Sequence, residues 1–261
     1  MVNTLSLDVA GGAVICATFF ADLFQVNVLP QGLAALGLAV WIVYTADHLL
    51  DAKRLTDQAS TFRHRFHQRH FKPLTVLLLV ACLIEFILLF FLRKPIFYNG
   101  LWLGLGVVIY VMINRWLSYF KEVAGALLYC GGVLLPTFSL KLQSFQVPDK
   151  LILLQFLLIV FTNLVLFSWM DYENDVKDRH RSLITLLNKE WGRIIIWFLF
   201  VAFFALNAFT IATHGKSTIL FFVMELMLFL IFLFPSYFKN EERFRFIGDA
   251  IFFLPIIAIV L

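Results

Sequence analysis

Nine apolar runs, each about as long as a bilayer-spanning helix, follow one another along this chain of 261 residues with little sequence between them. They fall near 9–29, 32–52, 74–92, 98–114, 122–140, 151–170, 193–213, 217–237 and 245–261. A spanning helix needs about 20 apolar residues, so the runs fit nine crossings. Of the whole chain 61% is hydrophobic and 15% charged; soluble domains sit nearer about 45–50% and about 25%. A globule of this length has too little interior to hide so many apolar side chains, so the solvent is lipid. Lipid leaves exposed backbone nothing to bond with, and the alternating polarity of a barrel strand is absent, so the runs are helices. The expected fold is all-α: one polytopic domain over 1–261 with nine transmembrane helices and cap segments near 53–72 and 171–192. A secreted domain, a nucleic-acid-binding protein and a soluble enzyme on one anchor are excluded. Cys16, Cys82 and Cys130 lie inside apolar runs, with no metal-type spacing and no disulfide expected. The first basic residue is Lys53, so no cleavable leader is expected.

The net charge of +4 reports sidedness rather than a polyanionic partner. Sixteen of the 21 Lys and Arg residues lie in the loops after spans 2, 4, 6 and 8. That bias places those loops and the N-terminus in the cytoplasm and the C-terminus outside, in the cell (inner) membrane. Removing or adding a helix in mid-chain would scramble the bias.

Two acidic clusters stand at the ends of the second and sixth runs. Asp47 and Asp51 share a helix face at i, i+4, and Asp171, Asp175 and Asp178 share one at i, i+4, i+7, with Glu173 rotated away. Both runs cross in the same direction, so the clusters meet the cytoplasmic rim at one depth. They read either as ordinary helix ends meeting water or as a cation site. Like charges one turn apart repel, and acids at a helix C-terminus oppose the dipole, each at a cost of a few tenths to about 1 kcal/mol. A hard divalent ion would relieve both, and Mg²⁺ is held by a few carboxylates plus substrate phosphate oxygens.

With these motifs the chain resembles the UbiA superfamily of intramembrane prenyltransferases, which has nine helices and Asp-rich motifs at the cytoplasmic ends of helices 2 and 6. The family's second motif, Asp-x-Glu-x-Asp followed by basic residues, a Thr-Leu pair and a Gly, is matched by Asp171-Tyr172-Glu173-Asn174-Asp175, then Lys177, Arg179 and Arg181, Thr185-Leu186 and Gly192. The Lys opening the family's helix 5 is matched by Lys121. One departure stands in the first motif: the Asn and the Asp that often follows it ahead of the spaced aspartates are replaced by Val43 and Tyr44. The resemblance implies transfer of a prenyl group from an isoprenyl diphosphate to a lipophilic, aromatic acceptor. It implies Mg²⁺ as cofactor, with Asp47 and Asp51 holding one ion and Asp171 and Asp175 another. Lys121, Arg54, Tyr44 and Asp178 would contact substrate, with Arg54 equally readable as a positive-inside anchor. Trp41 and Tyr110 join Tyr44 as aromatic faces able to shield a carbocation.

Other features carry less. His64, His67 and His70 recur at every third residue, with no Cys or acid to complete a zinc site, and read as a cytoplasmic cap. Asp22, Glu85, Glu225 and Asp249 lie within apolar runs, where acids tend to face a cavity or a partner; Asp249 is close enough to an interface to mean little. Those acids favour a transporter as the competing reading, although matched Gly/Pro-broken helices are missing. A phosphatidyl-alcohol transferase is disfavoured by the absence of that family's Asp-Gly and Ala-Arg elements. A non-catalytic prenyl-lipid-binding homologue is the last alternative.

Overall fold

The computed structural model describes residues 4–54, 62–113, 119–178 and 181–260, with the side chains of Arg54 and residues 62–64 outside the description. The described residues form helices and turns and no strand. In chain order the helices are α1 (Leu7–Leu23), α2 (Pro30–Arg54), α3 (Phe62–Arg69), α4 (Phe71–Leu89), α5 (Lys94–Ile113), α6 (Lys121–Leu140), α7 (Val147–Met170), α8 (Tyr172–Lys177), α9 (Leu183–Leu187), α10 (Lys189–Leu233), α11 (Pro235–Lys239), α12 (Arg243–Ala250) and α13 (Ile256–Val260). Six of them, α2, α4, α5, α6, α7 and α10, are long and apolar enough to cross a membrane. The chain is an integral, multi-pass membrane protein.

The 45 residues of α10 would extend about 67 Å as one rod, more than twice a hydrocarbon core of about 30 Å. His214 departs from helical geometry at φ −127°, ψ 38° and divides α10 into two arms. These arms correspond to the expected seventh and eighth runs.

Two boundaries differ from expectation. The first helix stops at Leu23, six residues before the apolar run does. Gln25 takes φ 54°, and the amides of Val26 and Gln25 donate back to the carbonyls of Ala21 and Asp22 at 2.7 and 2.9 Å. This is a Schellman stop built without glycine. The last run is not one continuous helix: α12 gives way to a 3₁₀ turn at Ile251–Phe253 and then to α13. Pro255 lacks the amide a continuous helix needs, while Leu254 before it keeps helical angles at φ −57°, ψ −33°.

Helix α7 is the most enclosed of the six long apolar helices and packs against α10 and α6. Phe20, Phe156 and Phe221 from α1, α7 and α10 cluster with ring centroids 4.9–6.2 Å apart. In lipid such clusters stabilise by close van der Waals packing rather than by removal from water. By contrast α4 and α5 bury only Leu74, Ala81 and Ile96, and their outer faces meet lipid. At the end where α7 begins, Asp149 receives Lys141 at 3.6 Å and His214 at 3.4 Å. The opposite end gathers the close of α2, the start of α6, the close of α7, and α8.

Candidate active site

That gathering opens into a chamber of about 810 Å³ between α2, α4, α5, α6, α7, α8 and α12. Its walls are mostly apolar, with Glu85 and Asn163 among them, and acids and bases gather at one end. Tyr44, Asp47, Asp51, Lys121, Asp171 and Asp175 all line it. Six side chains expected at the site from sequence are therefore brought together, and Tyr110 joins them.

The second acidic cluster is presented by a break in the helix rather than by a continuing face. Helix α7 ends at Met170, Asp171 sits in the turn at φ −89°, ψ 2°, and α8 starts at Tyr172. The Asp175 amide still donates to the Asp171 carbonyl at 2.9 Å, which keeps those two residues one turn apart. Asp178, expected on the same face, is not part of the chamber lining, because α8 closes at Lys177 and the face does not continue. Glu173 points away, as its rotation required. It is exposed and binds Lys189 and Lys239. Burial alone would raise its carboxyl, but the two ammonium groups outweigh that and hold it at about 2. Asp175 shows the reverse: burial first, then the neighbouring Asp171 and Glu122, push its carboxyl up to about 7 despite Lys121 and Arg245.

Several partners were hidden in the sequence. Arg245, assigned from charge alone to a rim loop, lies on α12 and forms an ion pair with Asp171, both side chains largely buried. Its guanidinium also lies over the rings of Phe167 and Phe244, at 5.5 and 5.3 Å. Glu122, the neighbour of Lys121, accepts from the Ser168 hydroxyl and, at 3.2 Å, from the Leu183 amide. It thereby ties α6 to α7 and to the segment carrying Thr185. That threonine is structural: its hydroxyl accepts from the Ser182 amide at 2.7 Å while Ser182 accepts from the Thr185 amide at 3.2 Å. Gly192 is structural too, since a Cβ there would lie 2.8 Å from Ile184. The spacing of Arg245 and Asp249 at i, i+4 was the available signal for a chamber-facing stripe on the last helix. Asp249 is 7% exposed and lines the chamber, against its reading as an interfacial residue.

Not every singled-out residue reaches the site. Trp41 faces a separate apolar groove between α1, α2 and α4, its indole N–H donating to the Leu5 carbonyl at 2.9 Å. Asp22 is exposed at the end of α1. Glu225 is sealed between α7 and α10 beside Thr162, whereas Glu85 lines the chamber. The side chains of Arg54 and His64, and Arg179 altogether, lie outside the described residues. His67 is buried with its ring 5.0 Å from that of His48, and His70 is bonded to the Phe66 carbonyl, which suits a packed cap.

Among the described residues, no three His, Cys, Asp or Glu side chains group tightly enough to enclose an ion unaided. Mg²⁺ does not require such a cage: it keeps waters and is typically held by one or two carboxylates plus substrate phosphates. An all-oxygen donor set with a carboxyl driven up to about 7 by burial and its acidic neighbours suits a hard cation shared with a bound anion.

Fold and site together define a polytopic helical membrane protein with an acid- and base-rimmed apolar chamber. Its fold is that of the UbiA homologues. A UbiA homologue from Aeropyrum pernix K1 superposes with a TM-score of 0.70 at 13% identity, over 98% of this chain and 99% of that one. A UbiA homologue from Archaeoglobus fulgidus, solved once bound to GPP and Mg²⁺ and once to DMAPP and Mg²⁺, superposes with a TM-score of 0.61 at 13% and 14% identity, over 96% of this chain and 98% of that one. No family model and no curated protein sequence matches the chain.

Proposed function

We propose that this protein is a Mg²⁺-dependent intramembrane prenyltransferase of the UbiA superfamily, moving an isoprenyl group from its diphosphate to a lipophilic acceptor. The observation that carries the reading is the convergence of Asp47, Asp51, Asp171, Asp175, Lys121 and Arg245 on a chamber whose lining is otherwise mostly apolar. The arrangement matches a substrate with a polyanionic head and a hydrocarbon tail. The fold shared with proteins solved holding GPP or DMAPP with Mg²⁺ supports the same substrate class.

In this reading Asp47 and Asp51 hold one Mg²⁺, and Asp171 and Asp175 the other. Bound Mg²⁺ supplies the positive charge that neutralises the departing diphosphate. Lys121 donates to the diphosphate oxygens and adds fixed positive charge where negative charge develops as the allylic C–O bond breaks. Arg245 orients the Asp171 carboxylate through their ion pair. Tyr44 and Tyr110 turn aromatic faces toward the allylic cation and shield it from water. Glu122 anchors the segment after α8 and so closes the chamber end. Counting α1, both arms of α10 and the α12–α13 segment gives nine crossings, with the acidic end cytoplasmic by the distribution of Lys and Arg.

Two shape-conserving substitutions test the assignment. Asp175→Asn removes a ligand and should lower Mg²⁺-dependent diphosphate release by about 100-fold or more, the scale of losing one transition-state contact. Glu173→Gln removes the same charge from a residue facing away and should retain most activity. Equal losses would mean that rim charge rather than ligand geometry sets the rate. Full activity in Asp175→Asn would remove the second cluster as a metal site and put transport first.

A further inference from the structure

Arg245 and the second proposed Mg²⁺ compete for one carboxylate. The guanidinium forms an ion pair with Asp171 Oδ2, and the two side chains are largely buried, at 18% and 7% exposure. Asp175, the other acid assigned to that ion, feels the positive charges of Lys121 and Arg245. The second acidic cluster is thus already served by two cations of the chain itself. Glu242 at the start of α12 and Asp249 one turn after Arg245 also act on the guanidinium electrostatically.

A divalent ion bound to the same carboxylate would stand close beside the guanidinium. Like charges at such a separation repel strongly where the side chains that carry them are shielded from water. The α12 backbone has no room to relieve this by shifting toward α7: a Cβ at Gly248 would fall 2.5 Å from Phe167 Cε1 and 2.7 Å from Asn163 Oδ1. The arginine side chain is freer. Its head lies over the rings of Phe167 and Phe244 at 5.5 and 5.3 Å, contacts that hold a cation without dictating which anion it bonds. A guanidinium fork matches phosphate oxygens as well as it matches a carboxylate.

We propose that Arg245 is an exchangeable counter-ion: it neutralises Asp171 while no metal is bound, and passes to the diphosphate oxygens when Mg²⁺ takes the carboxylate. Every charge keeps a partner through the exchange, and no covalent bond changes. Metal binding at the second cluster then depends on the anion that receives the guanidinium, so the ion enters readily with the diphosphate and poorly alone. The inference rests on the diphosphate reading of the site and adds to it a second role for Arg245 and an order of occupation.

The test reads metal binding rather than turnover. Mn²⁺, a hard ion with the same preference for oxygen, is titrated into the full-length protein in detergent and followed by electron paramagnetic resonance. Geranyl thiolodiphosphate, whose C–S bond is slow to ionise, serves as the diphosphate probe at saturating Mn²⁺. In Arg245→Met, Mn²⁺ alone should bind about tenfold or more tightly than in the wild type, because a competing charge is gone. The probe should bind the same variant about tenfold more weakly, the scale of a lost charge-assisted hydrogen bond to phosphate. Arg245→Lys keeps the charge and should leave binding of Mn²⁺ alone near the wild-type level, while still weakening the probe. The titrations are run below the melting temperature of the methionine variant, which Mn²⁺ alone should raise more than it raises that of the wild type; Arg245→Gln gives the same comparison if the methionine variant does not fold. If Arg245 only orients Asp171, its removal leaves binding of Mn²⁺ alone unchanged or weaker, and that result overturns the exchange. Undiminished binding of the probe to the methionine variant overturns it as well. Failure of the wild type to bind the probe with Mn²⁺ would remove the diphosphate reading, and the exchange with it.

Discussion

Arg245 holds a buried charge in balance, and removing it gives a quantitative test of the site. In Arg245→Met the hydrocarbon length is retained, but Asp171, whose side chain is 7% exposed, is left buried without its guanidinium. Breaking a buried pair from one side costs about 3–5 kcal/mol. The loss of the guanidinium over Phe167 and Phe244 adds about 0.5–2 kcal/mol. The sum corresponds to a fall in melting temperature of roughly 10 °C or more in a chain of this size. Adding Asp171→Asn should recover most of the loss. Unfolding in detergent, followed thermally or by SDS titration, reads both quantities. A double variant as unstable as the single one would refute an uncompensated Asp171 as the cause.

Three further outcomes follow from the geometry. Val43 lines the chamber one turn before Asp47, so Val43→Asn should restore an oxygen ligand and lower the Mg²⁺ concentration needed for half-maximal diphosphate release; an unchanged Mg²⁺ titration would show that the residue does not reach the ion. Glu173, held at about 2 by Lys189 and Lys239 after burial is outweighed, contributes stability that is present above about pH 4.5 and lost as pH falls toward 2. Because its side chain is half exposed, Glu173→Gln should cost less than about 1 kcal/mol at pH 7, and the difference from wild type should close in unfolding measured between pH 4.5 and 2. At Gly192 a Cβ would meet Ile184 at 2.8 Å and Trp169 at 3.1 Å, so Gly192→Ala should destabilise by about 1–3 kcal/mol through overpacking, read as a lower melting temperature in detergent.

The helical, lipid-solvated class and most of the long elements were legible because hydrophobic length is set by bilayer thickness and needs no tertiary information. The stop at Gln25 was not, because a non-glycine residue in the left-handed region leaves no sequence signal. Asp47, Asp51, Asp171 and Asp175 were legible because helical spacing puts like charges on shared faces where nothing local explains them. Arg245 and Glu122 were missed for the same kind of reason. A single cation near a rim reads as a topology signal, and an acid in the first turn of a helix reads as a complement to its dipole. Only the packing of α12 beside α7 brings Arg245 to Asp171, and that of α6 against α7 brings Glu122 to Ser168. Asp178 does not line the chamber because α8 ends at Lys177, one residue before it.

The central claim is that the acids and bases at the chamber end cleave an isoprenyl diphosphate. Its most direct test is release of inorganic diphosphate by the purified protein in lipid vesicles, given geranyl diphosphate and a panel of lipophilic acceptors, with and without Mg²⁺. The account predicts release that requires Mg²⁺, rises with an acceptor that becomes prenylated, and is lost in Asp175→Asn. Uptake of intact geranyl diphosphate into the vesicles without release, or release indifferent to both Mg²⁺ and Asp175, would contradict it.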